Sequence, residues 1–364
     1  MGVDFSNESL VTAVMEQGGT GSLAASAVGF NYRRKHILDA HDTEERIKRY
    51  YAANQARIAE EIRAVREKMP QGILAANLMA AMSDFTAMVD AIGSSGQVDL
   101  LLVGAGLPRE LPKQMEKYPH MRYAPIVSSD RAASIMLRSA KGTSRPPDAF
   151  YVELPQYAGG HLGAKDVEDA LDTEKFDPKK LHDEIRNVIP ETTPLILAGG
   201  IAYGPDITHA YEMGYDGISM GTRLLITQES GLPKNLMEKY YLDSRYGVVT
   251  TMHSPAGLPS RHIDGPTDPA DWAAEVHRQC VNCIGASRCG FNKPGGHENS
   301  YCIARRLPKT RRGEENGVLF TGSRLVEIRH DPLYRNGNGD KVIPTVNQAV
   351  EFVFAGGDGK GSVG

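Results

Sequence analysis

The chain has 364 residues, 41 of them basic and 45 acidic, for a formal net charge of −4 at pH 7. That length holds one barrel of about 250 residues with an appendage, or two domains, and the near-balanced charge leaves no electrostatic footprint for nucleic acid. No apolar run approaches the roughly 18 residues of a membrane span, and the start lacks a signal peptide's charged and apolar regions, so a cytoplasmic chain acting on a small-molecule substrate is expected.

Glu8 to Gln17 reads as a helix capped by Ser6 or Asn7, and Gly19 to Ala24 as a strand of small residues. Asn31 to Ala40, with Arg33, Arg34, Lys35 and His36, reads as a solvated loop. Thr43 to Lys68 is a long helix with Thr43 as its cap and an apolar stripe of Ile47, Tyr51, Ile58, Ile62 and Val65. Gly72 to Met79 is the next strand. Its polar interruption, Asn77, falls at the carboxyl end, either as a ligand contact or as a turn-stabilising residue.

Helix and strand then alternate: helix 84–92, strand 98–103, helix 110–118, strand 123–127, helix 130–140 and strand 149–153. The number of repeats argues for an α/β fold of the closed (β/α)8 TIM barrel type. The alternative, a doubly wound two-domain fold, wants an early G-x-G-x-x-G, which Gly19 and Gly21 match poorly. After strand 149–153 comes LPQYAGGHLG, residues 154–163, where Gly159 and Gly160 leave room for a planar ligand beside His161. A histidine there suits proton abstraction, because it titrates near neutrality and follows a barrel strand.

Pro194 to Ala198 is a buried strand closed by Gly199 and Gly200, followed by a helix beginning near Pro205 and Asp206 and ended by Gly214. Gly217 to Met220 is a second such strand, and Gly221 with Thr222 opens a helix through Leu225. Two consecutive strands ending in glycine and a helix start are the pattern of a phosphate site, since free N–H groups at a helix start attract anions. Leu232 to Tyr246 is helical, and Ser254 to His262 reads as a proline-rich solvated loop. The four cysteines are Cys280, Cys283, Cys289 and Cys302, too closely grouped for core packing and suited to zinc, an iron–sulfur cluster, or unliganded thiols. The tail 356–364 is linker-like, so the expected organisation is a barrel over 1–265, a Cys-rich extension over 266–355 packed on it, and that tail.

AGGHLG at 158–163, LILAGGI at 195–201 and DGISMGTRLL at 216–225 resemble the motifs of the nitronate monooxygenase (2-nitropropane dioxygenase) family, which also includes flavin-dependent enoyl-acyl-carrier-protein reductases. GAGLPRELP at 104–112, PIVSS at 125–129 and SPAGLPSR at 254–261 extend the likeness over roughly residues 1–325. The resemblance implies an FMN-containing barrel with an inserted helical segment. It implies that Gly199, Gly200, Gly221 and Thr222 hold the flavin phosphate with Ser219 and Met220 lining the turn, that Asn77, Glu153 and Gly159 lie near the ring, and that His161 is catalytic. One departure is Leu-Pro-Gln-Tyr-Ala after Glu153, where family members have Gly-Pro and one residue fewer. The cysteine spacing is closer to that of flavin barrel reductases with a [4Fe–4S] cluster than to a zinc ribbon.

Three functions follow as expectations: an FMN-dependent oxidase of small carbon acids such as nitronates, an enoyl-thioester reductase using NAD(P)H, and a flavin-binding partner subunit docked through its cysteine motif. Family barrels also begin with a strand ending in Gly-Gly-Met-Gly, of which Met1-Gly2-Val3 is only the end. The expectation is a truncated first strand, whose gap would weaken FMN binding or pair two copies as a homodimer.

Overall fold

Parallel strands form where short apolar runs alternate with amphipathic helices. β1 (Gly21–Ala24), β2 (Leu74–Met79), β3 (Leu100–Gly104), β4 (Arg122–Val127) and β5 (Phe150–Glu153) pair in that order. The small strand β6 (Gly160–His161) is skipped, and β7 (Leu195–Ala198) and β8 (Gly217–Ser219) complete a seven-stranded parallel sheet. This computed structural model describes residues 5–265, 280–285, 288–293, 296 and 300–357. Among them β1 and β8 are the two ends of the sheet. The strand expected ahead of Glu8 falls at residues 1–3, outside the described residues.

The strand pattern has period two, as a curled sheet with two different faces requires. Leu74, Ala76, Leu78, Leu101, Val103, Phe150, Val152, Leu195 and Leu197 point outward and are buried under helices. At the carboxyl ends of the strands the alternate residues face the lumen, and Asn77, Met79, Ile126, Glu153, Ala198 and Ser219 are only half-buried. A barrel interior is normally filled with packed side chains. Here those strand-end residues keep part of their surface uncovered.

The helix Thr43–Lys68 lies between β1 and β2 and buries Tyr50, Ile58, Ile62 and Val65, each apolar side chain contributing about 1.5–3 kcal/mol. Its cap is Asp42, not Thr43: Asp42 has extended backbone and its carboxylate accepts from Glu45 N at 2.8 Å, so Thr43 is the first helical residue. Asn54, fully buried on this helix, accepts from Gly29 N at 2.9 Å and donates to Asp84 at 2.7 Å. The basic stretch read as a loop is instead two short helices, Gly29–Tyr32 and Arg34–Leu38. Phe30 and Ile37 anchor them in an apolar cluster with Tyr50, while the cations point outward.

Two other expectations are corrected. Residues 232–246 form a short helix Lys234–Leu236 running into one π-helical turn, Met237–Tyr241, rather than a continuous helix. Ser254 to His262 is not a solvated loop. It leads into β10 (Ser260–Ile263), all of whose residues are buried, between β6 and β9 (Val248–Thr251) in an antiparallel sheet of three. The C-terminal residues return to the barrel, where Arg223, just after β8, pairs with Asp331 at 2.7 Å with both side chains almost fully enclosed.

Candidate functional site

The carboxyl ends of β5, β7 and β8 stand side by side, with Glu153 opposite Ala198 and Ala198 opposite Ser219. Beyond β7 the chain turns through Gly199 and Gly200 at φ +89° and +87°, a region that side-chain-bearing residues rarely adopt. Gly221 is exposed with nothing within 4 Å of where its Cβ would lie, and Thr222 begins the next helix. The structure thus brings together Gly199, Gly200, Ser219, Met220, Gly221 and Thr222 as a rim beside Glu153 at the end of β5, while Asn77 lies on β2, paired with β1 and β3.

The β6 segment closes one side. Gly160 and His161 pair with Arg261 and Ser260 of β10. His161 Nε2 lies 2.6 Å from Ser254 Oγ, and its ring meets Phe320 at 5.6 Å between centroids. Gly159 passes so close to Thr321 that a Cβ would come 2.4 Å from its carbonyl carbon. Burial holds His161 down at about 4, so its imidazole is neutral at pH 7. Burial pushes the Glu153 carboxyl up to about 7, opposed by the positive charge of Arg261 and a backbone N–H from Gly163. Two groups that ordinarily ionise two units apart are therefore inverted in order, a mark of functional sites as well as of buried pairs.

Arg261 is 2% exposed. It donates through Nε to Thr250 at 3.0 Å and through Nη1 to the carbonyls of Pro155, at 2.7 Å, and Ala158. Its Nη2 is buried without a partner among the described residues. An orphaned guanidinium donor beside a desolvated carboxyl is costly unless a ligand satisfies it.

The segment Phe320–Arg324 forms a further wall. Gly322 N donates to Thr222 Oγ1 at 2.9 Å, Ser323 N to Tyr157 O at 3.0 Å, and Arg324 Nη1 to Gly200 O at 3.0 Å and Asp206 at 3.1 Å. The Thr222 hydroxyl accepts there and keeps its own proton to donate. Tyr157, the bulky departure from the family pattern, lies against Gly200 and carries the carbonyl that docks Ser323. Ser254, Arg261, Phe320 and Arg324 are the residues that sequence reasoning missed or set aside. The SPAGLPSR segment held the signal for the first two; nothing local marks the others.

The residues fit an FMN on these observations: partly exposed residues at the carboxyl ends of the strands, a side-chain-free turn at Gly199–Gly200, an uncovered Gly221 at a helix start and an unsatisfied donor at Arg261. The cysteines lie elsewhere, around a separate cavity of about 350 Å³. None is in a disulfide, and among the described residues no three His, Cys, Asp or Glu converge as ligands of one ion. No described helix is long and apolar enough to cross a membrane.

A profile of the nitronate monooxygenase family matches residues 1–325. FabK from Thermotoga maritima superposes with a TM-score of 0.63 at 20% identity, covering 96% of this chain and 88% of that one. Nitroalkane oxidase from Streptomyces ansochromogenes gives 0.56 at 18% identity, covering 90% and 92%. At these identities the likeness is one of fold, a parallel α/β barrel. A search of curated proteins finds no match.

Proposed function

The chain belongs to the nitronate monooxygenase family and is a flavin-dependent oxidoreductase, and from that premise we propose that it oxidises small carbon acids already in their anionic form, such as alkyl nitronates, with O2. FMN would sit with its phosphate at Gly199, Gly200, Gly221 and Thr222 and its ring near Asn77, Glu153, Gly159 and Gly160. When bound, FMN supplies the acceptor for substrate electrons and the donor to oxygen.

The observation that carries the choice of substrate is the state of His161. An imidazole held near 4 is a weak base toward a neutral carbon acid, because general bases work best when their pKa lies near the working pH. The same ring is well suited to an anion. A negative charge beside it favours protonation, so an arriving nitronate would stabilise the doubly protonated ring, with Nε2 held by Ser254 Oγ and Nδ1–H left to donate to the substrate. Glu153, about half protonated at pH 7, repels an anion less than an ordinary carboxylate would, and Phe320 with the β6–β10 pairing covers that side of the ring.

Oxygen consumption separates the readings. Uptake with a preformed alkyl nitronate, well above that with the parent neutral nitroalkane, is expected. Stimulation of NAD(P)H oxidation by an enoyl thioester, with no nitronate-dependent uptake, would replace this reading by the reductase. Flavin bound without turnover in either assay would favour a partner subunit.

A further inference from the structure

The cavity at the cysteines is walled on one side by the short helices at Gly29–Leu38 and on the other by residues 280–292 and the helix Ile303–Arg311. We propose that Cys280, Cys283, Cys289 and Cys302 hold a [4Fe–4S] cluster in it. All four thiols line this one space, which has about 350 Å³ to fill, and its lining includes no histidine and no carboxylate. A purely thiolate ligand set is that of zinc or an iron–sulfur centre. Four thiols around one space of this size match the ligand number and the bulk of a polynuclear core.

Charge and hydrogen bonding agree with that assignment. Four thiolates on an oxidised cubane core leave a net dianion. The wall carries Arg34, Arg305, Lys309 and Arg312, the last paired with Glu314, and buried Asp84 lies behind Cys283. Cluster sulfurs are tuned by N–H donors. Asn282 N lies 3.4 Å and Asn292 Nδ2 3.8 Å from Cys280 Sγ, and the backbone N–H groups of Asn292 and Phe291 face Cys289. Phe30, Val281, Ile284 and Phe291 supply apolar cover.

The cavity also abuts the flavin site. Pro255 lines it and accepts from Gly290 N at 2.7 Å, while its neighbour Ser254 holds His161. Met79, on the lumen side at the end of β2, packs into the apolar cluster that contains Cys283. The assignment does not depend on which substrate the flavin oxidises.

The test is metal analysis of the full chain purified without oxygen and then incubated with ferrous iron and sulfide. About four iron atoms and four acid-labile sulfides per chain are expected, with a visible absorption shoulder that bleaches on reduction as a paramagnetic signal appears. Cys280→Ser should lose most of the iron and sulfide while keeping its flavin. Because a cysteine variant could fail to fold, the wild-type result decides: stoichiometric zinc without sulfide, or no metal after reconstitution, overturns the proposal.

Discussion

Replacing Glu153 by Gln tests the electrostatics of the lumen directly. In the unfolded chain this carboxyl ionises near 4.5 and in the fold near 7. Below 4.5 it is protonated in both states and its contribution is fully present. Between 4.5 and 7 only the unfolded chain gives up the proton, so stability is lost as pH rises, and above 7 the loss is complete. At 1.36 kcal/mol per pH unit, that loss is at most about 3 kcal/mol, and water in the half-open lumen will reduce it. Gln keeps the shape without the proton. The flavin-free Glu153→Gln chain should therefore match wild type near pH 4.5 and exceed it by up to about 3 kcal/mol at pH 8. With about 2 cal/mol/K of unfolding entropy per residue, that corresponds to roughly 4 °C in melting temperature. Urea unfolding of both proteins across pH 4.5–8.5 measures the difference, in which all other titrations cancel. A difference independent of pH would show that Glu153 ionises as an ordinary carboxylate and that the lumen is wet.

His161→Ala should retain flavin and slow nitronate-dependent flavin reduction by about 10²–10⁴, measured by stopped-flow under anaerobic conditions; an unchanged rate would make the histidine structural. Ser254→Ala should slow the same step less, since the ring stays in place against Phe320 and loses only its partner. If Thr222 donates to the flavin phosphate as proposed, titration of Thr222→Ala should show FMN affinity reduced by about 1.5–3 kcal/mol. Arg223→Met leaves Asp331 enclosed without its counter-charge and with the Tyr203 hydroxyl still donating to it, so chemical denaturation should register a loss of about 3–5 kcal/mol.

The strand order, the long inserted helix and the glycine turns were legible because each is written locally: periods of two and near four, caps, and glycine at strand ends. Asp42 and Thr43 are both good caps, and only the extended backbone at Asp42 decides between them. What stayed hidden is non-local. Ser260–Ile263 is too short to read as a strand beside Pro255, Gly257 and Pro259; it pairs along its length with Val248–Thr251 and at its start with residues nearly a hundred positions earlier. Ser254 reaches His161, and Phe320 its ring, across 93 and far more residues. The cations at 33–36 advertised solvent, while Phe30 and Ile37, seven apart, did the packing. The cysteine spacing marked a metal-type motif, and the fold gathers all four thiols around one cavity.

The central claim is that the upper lumen holds one FMN. Acid release of the flavin from the anaerobically purified and FMN-saturated chain, followed by chromatographic identification and quantitation, tests it most directly. One FMN per chain, lowered in Thr222→Ala, is the predicted result; FAD in its place, or a folded chain that retains no flavin at saturating FMN, would contradict it.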